Sequence, residues 1–388
     1  MNVNTQNQKA IIFYAKAGGG HESAARSIQQ SLLKKNFSEV VVVDIFSTSS
    51  TLTQYTFNEA YILAISKFPW LWRIMCYLWS IKGFFIVNFW FAKVTSNARS
   101  LIKQEVEKLN PDVVITTYFS LDVWISEVLQ QMGKNTPILS VVVDIFSPHN
   151  SWFLKSDTNF CVFSQEAAQV ASTSGVLPSH IHTFDGFFDE RFLQLASEND
   201  QQKICTENNL NRNLFTVMLS GGGPGIPATI PIIKEILALS VPLNLIVICG
   251  RNEGLKKQVQ QLLSSTPSTV TSIVTGFTNQ MHELTSISDI IIAKAGPATV
   301  FEVLAIKKPT ILAHYIWPQE KGNVDFFLKN NYGLYETNPV KIARKILFYQ
   351  KNPDQLSHWN KNLESVKVTS GMNNLVHFIL QKVEQSKS

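Results

Sequence analysis

The 388-residue chain has little charge and little cysteine. Asp, Glu, Lys and Arg make up 16% of it, and 34 basic against 29 acidic residues leave a formal net charge of +5. That excess fits contact with an anionic surface, but the cations are scattered rather than striped, which argues against nucleic acid as a partner. The four cysteines, Cys76, Cys161, Cys205 and Cys249, lie far apart with no Cys-x-x-Cys or Cys/His spacing. Structural zinc is disfavoured, and a reduced cytoplasmic compartment is the natural reading. Repeats and low-complexity tracts are missing, as are Asp-x-Asp, His-Glu-x-x-His and Gly-x-Ser-x-Gly. Metal-dependent diphosphate handling and serine-hydrolase chemistry lose support, so no metal and no cofactor is expected. No stretch reaches the ~18–20 nearly charge-free residues of a spanning helix. The apolar run Ala10–Ala15, close to three glycines, reads as a strand and not as a secretory leader.

Aromatics, by contrast, are abundant in one place. Between Phe68 and Phe91 stand Trp70, Trp72, Tyr77, Trp79, Phe84, Phe85, Phe89 and Trp90, interrupted by Arg73 and Lys82 and flanked by Lys67 and Lys93. Aromatics with interspersed cations suit a segment lying in a bilayer interface, with Trp70, Trp72, Trp79, Phe84 and Phe85 as the membrane-facing residues. An aromatic core patch or a dimer contact is the competing reading.

Length predicts two or three domains, and strand-like runs alternate with helix-like segments throughout, as in parallel sheets built from βαβ units. Expected strands in the first half are Ala10–Ala15, Val40–Ile45, Val113–Thr117, Ile138–Val143 and Phe160–Phe163. The second half restarts with Phe215–Leu219, Leu243–Cys249, Ser272–Val274, Ile290–Ala293 and Thr310–Leu312. A helix is predicted over His21–Lys35, where Ala24, Ile28 and Leu32 share a face, and another over about Asn373–Glu384. The expected division is 1–195 for an acceptor domain containing the aromatic segment 67–93, 196–213 for a linker, 214–370 for a donor domain, and 371–388 for a closing helix. Two α/β domains, each with a glycine-rich first loop, imply a cleft between them.

Chemistry-bearing residues cluster where strands end. Gly18-Gly19-Gly20-His21 follows the first strand and fits neither the dinucleotide fingerprint nor the P-loop. Its glycines allow close backbone approach, and His21, at a helix N-terminus whose dipole would keep it neutral, is either a general base or a packing histidine. Asp144 leaves the fourth strand, where it orients His21, acts as base itself, or caps a turn. The amides of Gly221-Gly222-Gly223 can hold a diphosphate or simply make a tight turn. Arg251 is a partner for a base or phosphate, or a solvated surface residue. In Lys294-Ala295-Gly296-Pro297-Ala298-Thr299, a strand breaks into a helix N-terminus that attracts phosphate, and Glu302 behind it accepts from sugar hydroxyls. Gln319 and Glu320 offer the donors and acceptors that read a hexose. The combination points to a sugar nucleotide.

With these residues in place, the chain resembles the diacylglycerol glycosyltransferases of glycosyltransferase family 28, the monogalactosyldiacylglycerol synthases and bacterial diacylglycerol glucosyltransferases. Gly19, Gly20 and His21 resemble the family's N-terminal loop, and Asp144, His149 and Trp152 its Asp…His…Trp signature. Gly276-Phe277 with Met281, the Lys294–Glu302 stretch and Gln319-Glu320-Lys321-Gly322-Asn323 resemble its nucleotide-binding half. The resemblance implies a GT-B fold of two Rossmann-like domains facing a cleft. It further implies inverting, metal-independent transfer of a hexose from UDP-galactose or UDP-glucose to diacylglycerol, by a protein peripherally bound to a membrane and its anionic lipids. His21 carries over as base with Asp144 as alternative or helper. Gly222, Gly223 and Thr299 would meet diphosphate at the Gly296-Pro297 turn, and Glu302 the ribose. Arg251 and Phe277 would meet the base, and Gln319 and Glu320, with Asn323 beyond them, the hexose. Departures are Glu22 for a frequent Arg, Val143 for Thr, Pro224 for Glu, Phe188 for Pro, and Trp317-Pro318 where Pro-Gly is usual. A lipid II-type N-acetylglucosaminyltransferase, a UDP-GlcNAc 2-epimerase and a non-catalytic sensor remain open on the same scaffold.

Overall fold

A computed structural model describes residues 8–16, 20–35, 37–47, 70, 85–155, 157–194, 196–222, 225–366 and 368–387, with only the backbone of 85–96, 357, 358 and 360. Two compact units are present. The first comprises Met1–Phe187, Trp317–Gln319 and Gly371–Ser388; the second comprises Phe188–Ile316 and Glu320–Ser370.

The first unit is built on a six-stranded sheet in the order β2-β1-β3-β4-β5-β6. Its strands are β1 (Lys9–Tyr14), β2 (Glu39–Asp44), β3 (Val113–Thr116), β4 (Ile138–Val141), β5 (Asn159–Val162) and β6 (Ile181–Thr183). All neighbours are parallel. Continuous apolar runs such as Ala10-Ile11-Ile12-Phe13, fully buried here, are what a sheet covered on both faces demands. Helix α1 (Gly20–Lys34) turns Ala24, Ile28 and Leu32 inward, on the face their spacing predicts. Helix α2 (Phe85–Leu109) sends Ala98, Ile102 and Val106 into the same core as α3 (Leu121–Gln131).

The second unit repeats the plan in the order β12-β11-β10-β7-β8-β9. Here β7 is Thr216–Ser220, β8 Leu243–Ile248, β9 Val270–Thr275, β10 Ile290–Lys294, β11 Thr310–His314 and β12 Gly333–Tyr335. Helix α4 (Pro297–Ala305) follows β10, and α5 (Lys321–Lys329) follows β11. This is the doubly wound Rossmann order, whose connections reverse direction between β7 and β10; in the first unit the reversal falls between β1 and β3. Such switch points open a crevice at the carboxyl ends of the strands.

Every strand expected from sequence is present, together with two that sequence does not announce. Both β6 and β12 are three-residue edge strands, and Ile181-His182-Thr183 and Gly333-Leu334-Tyr335 lack the apolar run that marks the interior ones. The polar stretch 196–213, which reads from sequence as a helix plus linker, carries the helix Glu198–Glu207, begun by a capping box in which Ser197 and Asp200 satisfy each other's backbone amides. The closing helix, α6 (Met372–Lys387), belongs to the first unit. There the ring of Phe378 lies 4.2 Å from that of His182, and Lys387 pairs with Asp112 at 2.7 Å.

Candidate functional site

In the first unit, candidate residues gather at the switch point. His21 is the second residue of α1, and its Nδ1 lies 2.6 Å from the carbonyl oxygen of Thr117, just past β3. Thr117 Oγ1 in turn donates to the His21 carbonyl at 3.0 Å. A carbonyl only accepts, so Nδ1 carries the proton and Nε2 keeps its lone pair. Burial pushes the imidazole pKa down to about 4, outweighing the Thr117 bond, which raises it. The imidazole is neutral, as expected, with desolvation as the main cause.

Asp144 is buried, and its Oδ2 accepts from Trp152 Nε1 at 2.7 Å. Trp152 is fully buried, with its ring 6.1 Å from that of His21. The carbonyl of Thr117 therefore orients His21, while Trp152 orients Asp144. Tyr118 meets His21 edge to face at 5.0 Å. His149 acts locally, its Nδ1 capping the short turn Asn150–Phe153 by accepting from the Ser151 amide at 3.2 Å.

In the second unit, Gly222 follows β7 at φ +69°, a left-handed conformation that glycine adopts without a Cβ clash. Across the switch point, β10 ends at Lys294, and Gly296 caps α4, with Pro297 pre-set for the first turn. A Cβ on Gly296 would lie 3.5 Å from Thr299 Oγ1, so the hydroxyl faces the same turn. Glu302, one turn on, has its carboxyl pushed up to about 7, by burial first and by Asp189 second. Asn323, near the start of α5, is fully buried, and its Nδ2 donates to the Ala295 carbonyl at 2.8 Å. It braces the phosphate-type turn from behind.

Glu320 is more committed than its sequence position suggests. One carboxylate oxygen binds the ammonium of Lys294, and the other accepts from the Ile316 amide at 2.6 Å. Hexose hydroxyls would use the lone pairs that remain. Lys294 is the residue that sequence reasoning misses, because it stands inside a recognised motif without a role of its own. A signal does exist, since it is the last residue of the strand that opens the Gly-Pro turn.

Arg251 and Phe277 form a separate pair after β8 and β9. The guanidinium sits 5.4 Å from the centre of a ring that is 67% exposed. Met281 starts the short helix Met281–Ser286. Gln319 lies in Trp317–Gln319, grouped with the first unit, and the Trp317–Pro318 bond is cis. Gly20 opens α1; Trp70 is exposed; Gly19, Gly223, Trp72, Trp79, Phe84 and the Phe85 side chain lie outside the described residues. Among the described residues, no three His, Cys, Asp or Glu gather as a metal site, and no helix is long and apolar enough to cross a membrane.

Comparison with known proteins meets this geometry at both halves. Residues 21–185 match the monogalactosyldiacylglycerol (MGDG) synthase family, and residues 216–375 match the glycosyltransferase family 28 C-terminal domain. The chain belongs to glycosyltransferase family 28. Within the family, the monogalactosyldiacylglycerol synthase of Spinacia oleracea is 29% identical over 87% of this chain, which spans 65% of the spinach protein's length. Synthase 1 of Arabidopsis thaliana is also 29% identical, over 87% of this chain and 64% of its own. Among solved structures, Acinetobacter baumannii MurG superposes with a TM-score of 0.57 at 16% identity, covering 96% of this chain and 99% of its own. Anabaena HepE, in complex with UDP-glucose, reaches 0.56 at 15%, covering 97% and 98%. The UDP-GlcNAc 2-epimerase of Neisseria meningitidis reaches 0.57 at 13%, covering 97% and 100%. The shared fold is GT-B, and because it also serves an epimerase it does not by itself select a reaction.

Proposed function

We propose that this chain transfers a hexose from a UDP-sugar, UDP-galactose or UDP-glucose, to the free hydroxyl of diacylglycerol, with inversion and without a metal ion. The observation that carries the reading is the pairing on one chain of a synthase-type domain, whose buried His21 keeps an Nε2 lone pair, with a family 28 C-terminal domain. The acceptor oxygen attacks the anomeric carbon from the face opposite the diphosphate and loses its proton to the base. The anomeric carbon–oxygen bond to the diphosphate breaks, and its electron pair stays on the leaving phosphate oxygen. The turn at Gly296 supplies preorganised donors for that charge. The lipid acceptor requires contact with a membrane surface, which the aromatic segment around the exposed Trp70 supplies.

The test is a mass-spectrometric product assay with UDP-galactose, UDP-glucose and UDP-GlcNAc, each offered with diacylglycerol vesicles. A monohexosyl diacylglycerol is expected from one of the first two donors. Failure to form a lipid product with any donor would sink the reading, and so would epimerised UDP-GlcNAc as sole product.

A further inference from the structure

The second unit concentrates positive charge at one point. Lys294 ends β10 at the switch point, where Ala293 pairs with Ser220, the last residue of β7. Its side chain is largely buried and runs between the two glycine turns. A Cβ on Gly222 would lie 3.8 Å from Lys294 Cε, and one on Gly296 would lie 3.7 Å from Lys294 Nζ. The ammonium therefore stands beside the N-terminus of α4, whose unpaired amides already carry about half a positive charge. A cation at that end of a helix is the reverse of the usual arrangement, and in isolation it destabilises the fold.

Glu320 supplies one compensating negative charge, and its carboxylate is anchored by the Ile316 amide, so the ammonium is held in place. His314, paired in register with Lys294 on β11, adds no charge of its own, because burial and the neighbouring lysine push its pKa down to about 4. One carboxylate thus faces a lysine, a helix N-terminus and a glycine turn. The remaining excess is positive, and no side chain at Gly222 or Gly296 blocks access to it.

Resting on the UDP-sugar reading above, we infer that Lys294 is the charged contact for the donor's diphosphate, a binding role that none of the glycine turns can supply through amides alone. The ammonium sits where negative charge grows as the sugar departs, so it stabilises the leaving diphosphate as well as binding the donor.

The test is calorimetry of the full chain with UDP and with inorganic pyrophosphate, alongside saturation-transfer NMR with uridine as the phosphate-free control. Lys294→Met should weaken UDP about ten- to hundredfold, the range of a lost hydrogen bond to a charged group, and leave uridine binding unchanged. Lys294→Arg should recover most of the loss, and the unchanged uridine affinity of Lys294→Met is what a merely structural role would not predict. Unchanged UDP affinity in Lys294→Met overturns the assignment, and so does an equal loss for uridine in a variant that melts like the wild type. If Lys294→Met does not fold, the Arg and Gln variants decide: Arg must exceed Gln in UDP affinity. A wild-type chain that binds neither UDP nor pyrophosphate also overturns it. Absence of glycolipid in the vesicle assay, with UDP affinity still dependent on Lys294, defeats the transfer reading and leaves this one standing.

Discussion

His21 Nδ1 and the carbonyl oxygen of Thr117 lie 2.6 Å apart, joining the start of α1 to the end of β3 across 96 residues of sequence. This bond fixes the tautomer. Replacing His21 with Ala should cut kcat/KM about 10²- to 10⁴-fold, the usual worth of a general base. Protonation at Nε2 removes the base, so activity is lost as pH falls through the folded pKa of about 4, not through the ordinary 6.5. Glu302, raised to about 7, can add a limb of its own, which Glu302→Gln would remove. A limb near 6.5 that survives Glu302→Gln would contradict the assignment.

Trp152 holds Asp144 with one charge-assisted bond inside the core. Trp152→Phe keeps most of the apolar volume and deletes the donor, leaving a buried carboxylate with one donor fewer. The expected loss is about 1.5–3 kcal/mol. Urea denaturation monitored by circular dichroism measures it, and a midpoint unchanged from the wild type would mean that Asp144 is satisfied elsewhere.

Phe277 is exposed, so its truncation should cost the fold no more than about 0.5 kcal/mol. As a stacking platform for a base, with Arg251 over its ring, it should matter far more to the ligand. Phe277→Ala is expected to weaken UDP about fivefold or more, from the worth of base stacking on an aromatic ring. Calorimetry decides, and equal affinity would move the nucleobase away from β9.

Sequence made the strands legible because each interior strand of a doubly covered parallel sheet must be apolar along its whole length. Three-residue edge strands such as Gly333–Tyr335 leave no comparable mark, whereas the six-residue edge strands β2 and β9 keep enough apolar residues to be read. The glycine-marked loops were legible for a backbone reason: Gly222 adopts a left-handed φ and Gly296 caps α4 at the end of a strand. Partnerships were not. His21 with Thr117, Asp144 with Trp152 and Lys294 with Glu320 depend on which strand ends the topology brings side by side. The Thr117 carbonyl that orients His21 and the indole that orients Asp144 carry no local sequence mark, because neither lies beside its partner in the chain.

Helix α6 has a consequence for how the protein is made. The first unit is drawn from residues before 188 and again from 371 onward, so α6 can pack on it only after the second unit's residues have been translated. Its apolar face, with Leu375, Val376, Ile379 and Val383, covers surface that stays open until then. The first unit therefore starts before the second and closes after it.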